Sequence, residues 1–153
     1  MREILFRGKR LDNGEWAEGY LYEHEPALVG IVSENDAPEP SKWFIARTGF
    51  ADWNMPRPVE FVEVDPSTVG QYTGLKDRNG KRVFDGDIVT QNWYDHDEPS
   101  DDSFGEVVFC EYDCSFSVMD IQKDSIVPLG RCHAYHWEAE VIGNIHDNPE
   151  LLA

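Results

Sequence analysis

Three thiols and an imidazole, Cys110-x3-Cys114 and Cys132-x3-His136, are the side chains of this sequence best equipped for chemistry. They are the soft donors that tetrahedral zinc takes. Their spacing argues against it, because structural zinc pairs more often bracket a two-residue spacer, and His133 competes with His136. Without a metal, Cys110 reads as a small hydrophobe in a strand, with Cys114 and Cys132 beside a hairpin and a loop. An odd number of cysteines, with no apolar leader after Met1-Arg2-Glu3, argues against a disulfide scaffold as well.

The carboxylates offer two further constellations. Asp95 to Asp102 packs five acids into eight residues, a dense oxygen set for calcium. An EF-hand loop needs glycine at its sixth position, and Ser100 stands there. A solvated loop is the expectation. Asp85 and Asp87 could be read as a catalytic pair, but acid–base work needs a pocket that splits two pKa values, and Asp-Gly-Asp at a strand entry is ordinary turn chemistry. Ser115 and Ser117 alternate in a strand, outside any glycine-flanked elbow. Neither phosphate-binding nor dinucleotide-binding glycine patterns occur. No catalytic residue, metal ligand or cofactor is assigned.

The elements that must position these residues are strands. Glu15 to Tyr22 alternates with Trp16, Tyr20 and Tyr22 on one face. Ile4 to Phe6, Leu28 to Val32, Trp43 to Ala46 and Glu60 to Val64 are further strands of the first half, with an exposed loop over Ser33 to Ser41. Asp65-Pro66-Ser67-Thr68 suits a capped helical turn. Strands then return at Gln71–Leu75, Lys81–Phe84, Asp87–Trp93, Gly105–Tyr112, Ser115–Asp120, Ile126–Leu129 and Glu138–Ile142. No window sustains three turns of amphipathic helix. The fold class is mostly β with one or two short helices. A faint likeness links Phe6-Arg7-Gly8, Asn13-Gly14 and Glu18-Gly19 to Tyr72-Thr73-Gly74, Asn79-Gly80 and Asp85-Gly86, although any two hairpins need such glycines.

Thirteen lysines and arginines against 30 aspartates and glutamates give a formal charge of −17. A field of that sign repels phosphate, so direct nucleic-acid binding is disfavoured, and the apolar runs are too short for a membrane span. The expected location is cytoplasmic. Seven of the 13 basic residues fall in the two similar stretches: Arg7, Lys9, Arg10, Lys76, Arg78, Lys81 and Arg82. Separated patches of opposite sign can pair head to tail, which makes Arg78, Lys81 and Arg82 candidates for self-association into a homo-oligomer.

The stretch from Val69 to Val89, with Gly70-Gln71-Tyr72-Thr73-Gly74, Asp77-Arg78-Asn79-Gly80 and Phe84-Asp85-Gly86-Asp87-Ile88, resembles the YopX-like family of phage and prophage proteins. The opening Met1-Arg2-Glu3-Ile4-Leu5-Phe6-Arg7-Gly8 and the closing Glu140 to Leu152 resemble the same family, while Leu28 to Pro58 matches no family pattern. The resemblance implies a complex β fold: an N-terminal β region over 1–68 and an SH3-like barrel over 69–153, together forming one compact unit. It also implies a phage or prophage origin, hence a bacterial host cell, and no assigned activity. In such a barrel, aromatics at loop mouths often line a groove for an extended peptide. Trp93, Tyr94, Tyr135 and Trp137 are the candidates here.

The expected function is therefore a non-enzymatic protein-interaction module whose partner the sequence does not name. Two alternatives stand beside it: an acidic nucleic-acid mimic that occupies a host protein, and a small metal-binding protein or enzyme whose site forms only in three dimensions. The cysteine reading has a direct check. Elemental analysis of the purified protein should give well under one zinc per chain; a full equivalent, with loss of folding on chelation, would contradict it.

Overall fold

The computed structural model describes residues 3–25, 40–49, 51–52, 55–56, 59–91, 94–95, 98–99, 103–120, 125–129 and 139–152. The protein is mostly β. Its chain divides into two units, Ile4–Gly70 and Met1–Glu3 with Gln71–Ala153. Among the described residues there are two single 3-10 turns, Pro66–Thr68 and Pro149–Leu152, and the chain is also helical at Leu129. No helix there is long and apolar enough to cross a membrane.

The N-terminal unit is built on β1 (Phe6–Lys9), β2 (Trp16–His24), β3 (Lys42–Thr48) and β6 (Val59–Val64), which follow in the order β6-β3-β2-β1. Each is antiparallel to its neighbour. A short pair, β4 (Ala51–Asp52) and β5 (Met55–Pro56), lies between β3 and β6 in sequence. The first strand is Phe6–Lys9, displaced toward the C-terminus from the Ile4–Phe6 expected from apolar character alone, because its register opposite β2 pairs Phe6 with Gly19 and Lys9 with Trp16. The far ends of β1 and β6 meet: Arg10 bridges Val64, the Leu11 amide donates to the Glu63 carbonyl and the Asp65 amide to that of Lys9. Thr68 completes this latch, accepting from the Lys9 amide and donating to the Asp65 carbonyl, both at 2.8 Å. Asp65 caps the 3-10 turn by accepting from the Ser67 amide, as its sequence indicates.

The inner face of this unit is small. Ala17, Ile45, Val62 and Val64 are buried, with Phe6, Leu21, Trp43 and Val69 packed against them. At Gly19 a methyl group would collide with the Ala46 carbonyl and stand 2.9 Å from Ile45 Cγ2. The strands approach too closely there for any side chain.

The C-terminal unit contains β7 (Gly70–Lys76) paired with β8 (Arg82–Phe84), and an antiparallel sheet in the order β14-β13-β12-β9-β15. Its strands are β9 (Asp87–Gln91), β12 (Ser103–Cys110), β13 (Ser115–Asp120), β14 (Ser125–Pro128) and β15 (Val141–Asn144). β10 (Tyr94–Asp95) and β11 (Glu98–Pro99) form a two-stranded pair inside the acidic stretch expected to be loop. Among the described residues no sheet is closed, and the five-strand sheet is open between β14 and β15. Val83, Val89, Val107, Phe116, Val118, Leu129, Ala139 and Val141 form its core, with Leu75 against them. The strand expected at Leu28–Val32 lies outside the described residues.

Asp77, buried, organises the β7–β8 turn. Its Oδ1 accepts from the amides of Asn79 and Lys81, and its Oδ2 from that of Val141, 64 residues away. Gly80 closes the turn at φ +80° with open space around it. Glu106, on β12, has its pKa raised, first by burial and then by the charge of Asp85.

Two stability measurements test this account. A Cβ at Gly80 would meet no atom within 4 Å, so Gly80→Val should act through backbone strain, with a loss of about 1–3 kcal/mol; an unchanged denaturation midpoint would contradict the turn assignment. For Glu106 the folded protein holds its proton more tightly than the unfolded chain, so stability falls as pH rises from the ordinary glutamate range through the raised value. Glu106→Gln should thus be more stable than wild type at neutral pH, with the gain vanishing in acid. A gain independent of pH would reject the electrostatic cause.

Candidate interaction face

Pleating puts alternate residues of β2, β3 and β6 on the side opposite the small core. Register then sets them in rows. Tyr20 faces Ala46, which faces Phe61; Tyr22 faces Phe44, which faces Glu63; His24 faces Lys42. Tyr20, Tyr22 and Phe61 are exposed to 64%, 47% and 58%. The small Ala46 between Tyr20 and Phe61 leaves room beside the Tyr22–Phe44 row. A shallow hollow results, lined by Tyr22, His24, Phe44 and Phe61.

The rings make real contacts. Tyr22 meets Phe61 edge-on with centroids 5.8 Å apart, and lies tilted to Phe44 and to His24 at 6.3 Å each. The Tyr22 hydroxyl and His24 Nδ1 are 3.4 Å apart. Offset and edge-to-face pairs at these separations are mutually stabilising, so the cluster is held in place although solvent reaches it. Farther along the same face, Trp16 carries Arg7 and Lys9, with Arg7 Cζ 4.7 Å and Lys9 Nζ 5.6 Å from its ring centroid.

Trp16, Tyr20 and Tyr22 are legible in sequence as one stripe; Phe44 and Phe61 join them through pairing across β3 and β6. Of the aromatics expected to line a groove, Tyr94 begins β10 opposite Pro99, while Trp93, Tyr135 and Trp137 lie outside the described residues. Of the self-association candidates, Arg78 is paired with Glu140, and Arg82 with Glu3 at 3.5 Å and with the Tyr72 ring at 5.7 Å. Lys81 is exposed. Two of the three cations are thus already engaged by groups of their own chain.

The other constellations resolve into structural roles. Cys110 is half-buried, and Cys114 is exposed at φ 51° in the β12–β13 turn, its thiol donating to the Glu111 carbonyl at 3.6 Å. A hydrogen bond from the Cys110 thiol is the leading cause that holds the Asp113 carboxyl below its usual value. Cys132 and His136 lie outside the described residues; among those described, no three histidines, cysteines or carboxylates gather as a metal set. Asp87 is wholly buried, and its Oδ2 accepts from the Phe84 amide at 2.8 Å, as a turn residue does.

No curated protein matches the sequence. Among solved structures, the crystal structure of protein EF1440 from Enterococcus faecalis is similar at 22% identity and a TM-score of 0.49, over 100% of both chains. The family model described as YopX protein matches residues 6–153. That span takes in both units almost entirely, and the chain belongs to the YopX protein family.

Proposed function

We propose that this chain is a non-enzymatic protein-interaction module, of phage or prophage origin and acting in the bacterial cytoplasm, that docks its partner on the aromatic face of the N-terminal unit. One observation carries the reading: Tyr20, Tyr22 and Phe61 stand more or less half exposed on one face around Phe44. A solvated sheet face is ordinarily polar, and contiguous apolar patches mark contact sites. Tyrosine and phenylalanine are enriched at interfaces because they bring large area with few rotatable bonds. The charge of −17 disfavours a phosphate backbone as the partner, which leaves protein.

Photocrosslinking tests it. A benzophenone amino acid in place of Phe61 should give discrete protein adducts in bacterial extract, suppressed by a second change, Tyr22→Ser. The same group in place of Tyr112, which is 99% exposed on the β12–β13 turn, should give none of those adducts. Equal labelling from both positions, or none from position 61, would refute the reading.

A further inference from the structure

The aromatic hollow has a chemistry of its own. Ring faces are electron-rich and attract cations, most strongly where several rings converge. Within this unit the same sheet face already works that way: Trp16 holds Arg7 and Lys9 over its ring. The Tyr22–Phe44–Phe61 cluster has rings of like character, yet no described arginine or lysine lies over it. Glu63 is exposed and occupies the register position beside Phe44, so a carboxylate borders the hollow on its β6 side. Lys42, opposite His24, marks the other end of the face. The protein as a whole carries −17, which draws a positively charged segment toward it.

We propose that the hollow bounded by Tyr22, Phe44 and Phe61 receives the side-chain cation of an arginine or lysine on a basic segment of the partner protein, with Glu63 as its counter-charge. The proposal rests on the interaction-face reading and names the chemistry of the partner. It distinguishes the face from a plain hydrophobic contact, which would prefer an uncharged apolar side chain. It also distinguishes it from a base-stacking platform, which would need a basic rim for phosphate.

The test uses the full chain and a fluorescent peptide of arginines spaced by glycine and serine, compared with the same peptide carrying neutral citrulline. Fluorescence anisotropy should show the arginine peptide binding about tenfold or more tighter than its citrulline twin, the discrimination expected when the charge itself is recognised. Tyr22→Leu and Phe61→Leu keep apolar area but remove the ring. Each should weaken the arginine peptide roughly fivefold with unchanged circular dichroism, whereas Phe61→Tyr should retain binding. Glu63→Gln should weaken it and flatten its salt dependence. Equal affinity for citrulline, or arginine binding untouched by the leucine variants, overturns the proposal; the second result assigns the attraction to general acidic charge. Binding of a labelled single-stranded oligonucleotide at this face overturns it, as does a sedimenting dimer abolished by Phe61→Leu, which would give the face to a second copy. Crosslinking from position 61 together with citrulline tolerance would leave the interaction face standing and remove only its cation preference. Loss of crosslinking removes both.

Discussion

There is no space inside the N-terminal unit for a side chain at Gly19, and that close approach governs what the rest of the unit can be. The Ala46 carbonyl fills the place where a methyl would stand. At Gly8 a methyl would come within 3.0 Å of Val64. With Ala17 as the third small residue, the interior takes Ile45, Val62 and Val64 at its centre and leaves the larger rings to its margin or the other side. The latch among Lys9, Asp65 and Thr68 holds the strand ends together, so the curl cannot relax to admit larger groups. Tyr20, Tyr22 and Phe61 are therefore on the solvent face by necessity of pleat and volume. Their being aromatic is a separate matter. Burying such a side chain is worth about 1.5–3 kcal/mol, and each forgoes much of that while exposed. Threonine or lysine would serve a purely structural face as well.

Acids in the C-terminal unit answer a different constraint. Asp77 supplies three backbone amides with acceptors and so joins the β7–β8 turn to the start of β15. Asp87 does the same for Phe84. Buried amides without acceptors are costly, by about 1–3 kcal/mol each, so these carboxylates are fixed by backbone geometry. A pair of acids two residues apart looks catalytic in a sequence; placed in the fold, Asp87 is a turn element.

How far the sequence could be read follows from the same physics. Period-2 alternation shows in Trp16, Tyr20 and Tyr22 because polar residues separate them, and the capped turn at Asp65 and the glycine at 80 carry unambiguous local signals. Trp43-Phe44-Ile45-Ala46 is apolar on both faces, so alternation cannot tell which of Trp43 and Phe44 points to solvent. Phe61 has the same ambiguity beside Val62. Only the pairing of β3 with both β2 and β6 brings residues 22, 44 and 61 together, and long-range register is invisible in a single strand's pattern. The family resemblance drew attention instead to loop-mouth aromatics, because it implied an SH3-like barrel; among the described residues no sheet is closed.

Charge bookkeeping along the described chain sharpens the picture of what the surface lacks. Arg10 is held by Asp12, Arg47 by Glu60, Arg78 by Glu140 and Arg82 by Glu3, while Arg7 lies on Trp16. Exposed pairs of this kind contribute only ~0–1 kcal/mol to stability. Their larger effect is on recognition, since a cation already facing a carboxylate presents little net field to another molecule. Head-to-tail self-association through Arg78 and Arg82 would have to displace those internal partners. The acids outnumber the bases by more than two to one, so most carboxylates remain uncompensated after every such pairing. Glu63 stands beside the ring cluster and no described arginine or lysine lies over its rings, although Lys42, Arg7 and Lys9 share the face. What singles out the Tyr22–Phe44–Phe61 face is its exposed rings together with the carboxylate beside them, while the cations on the same face lie over Trp16 or at its far end.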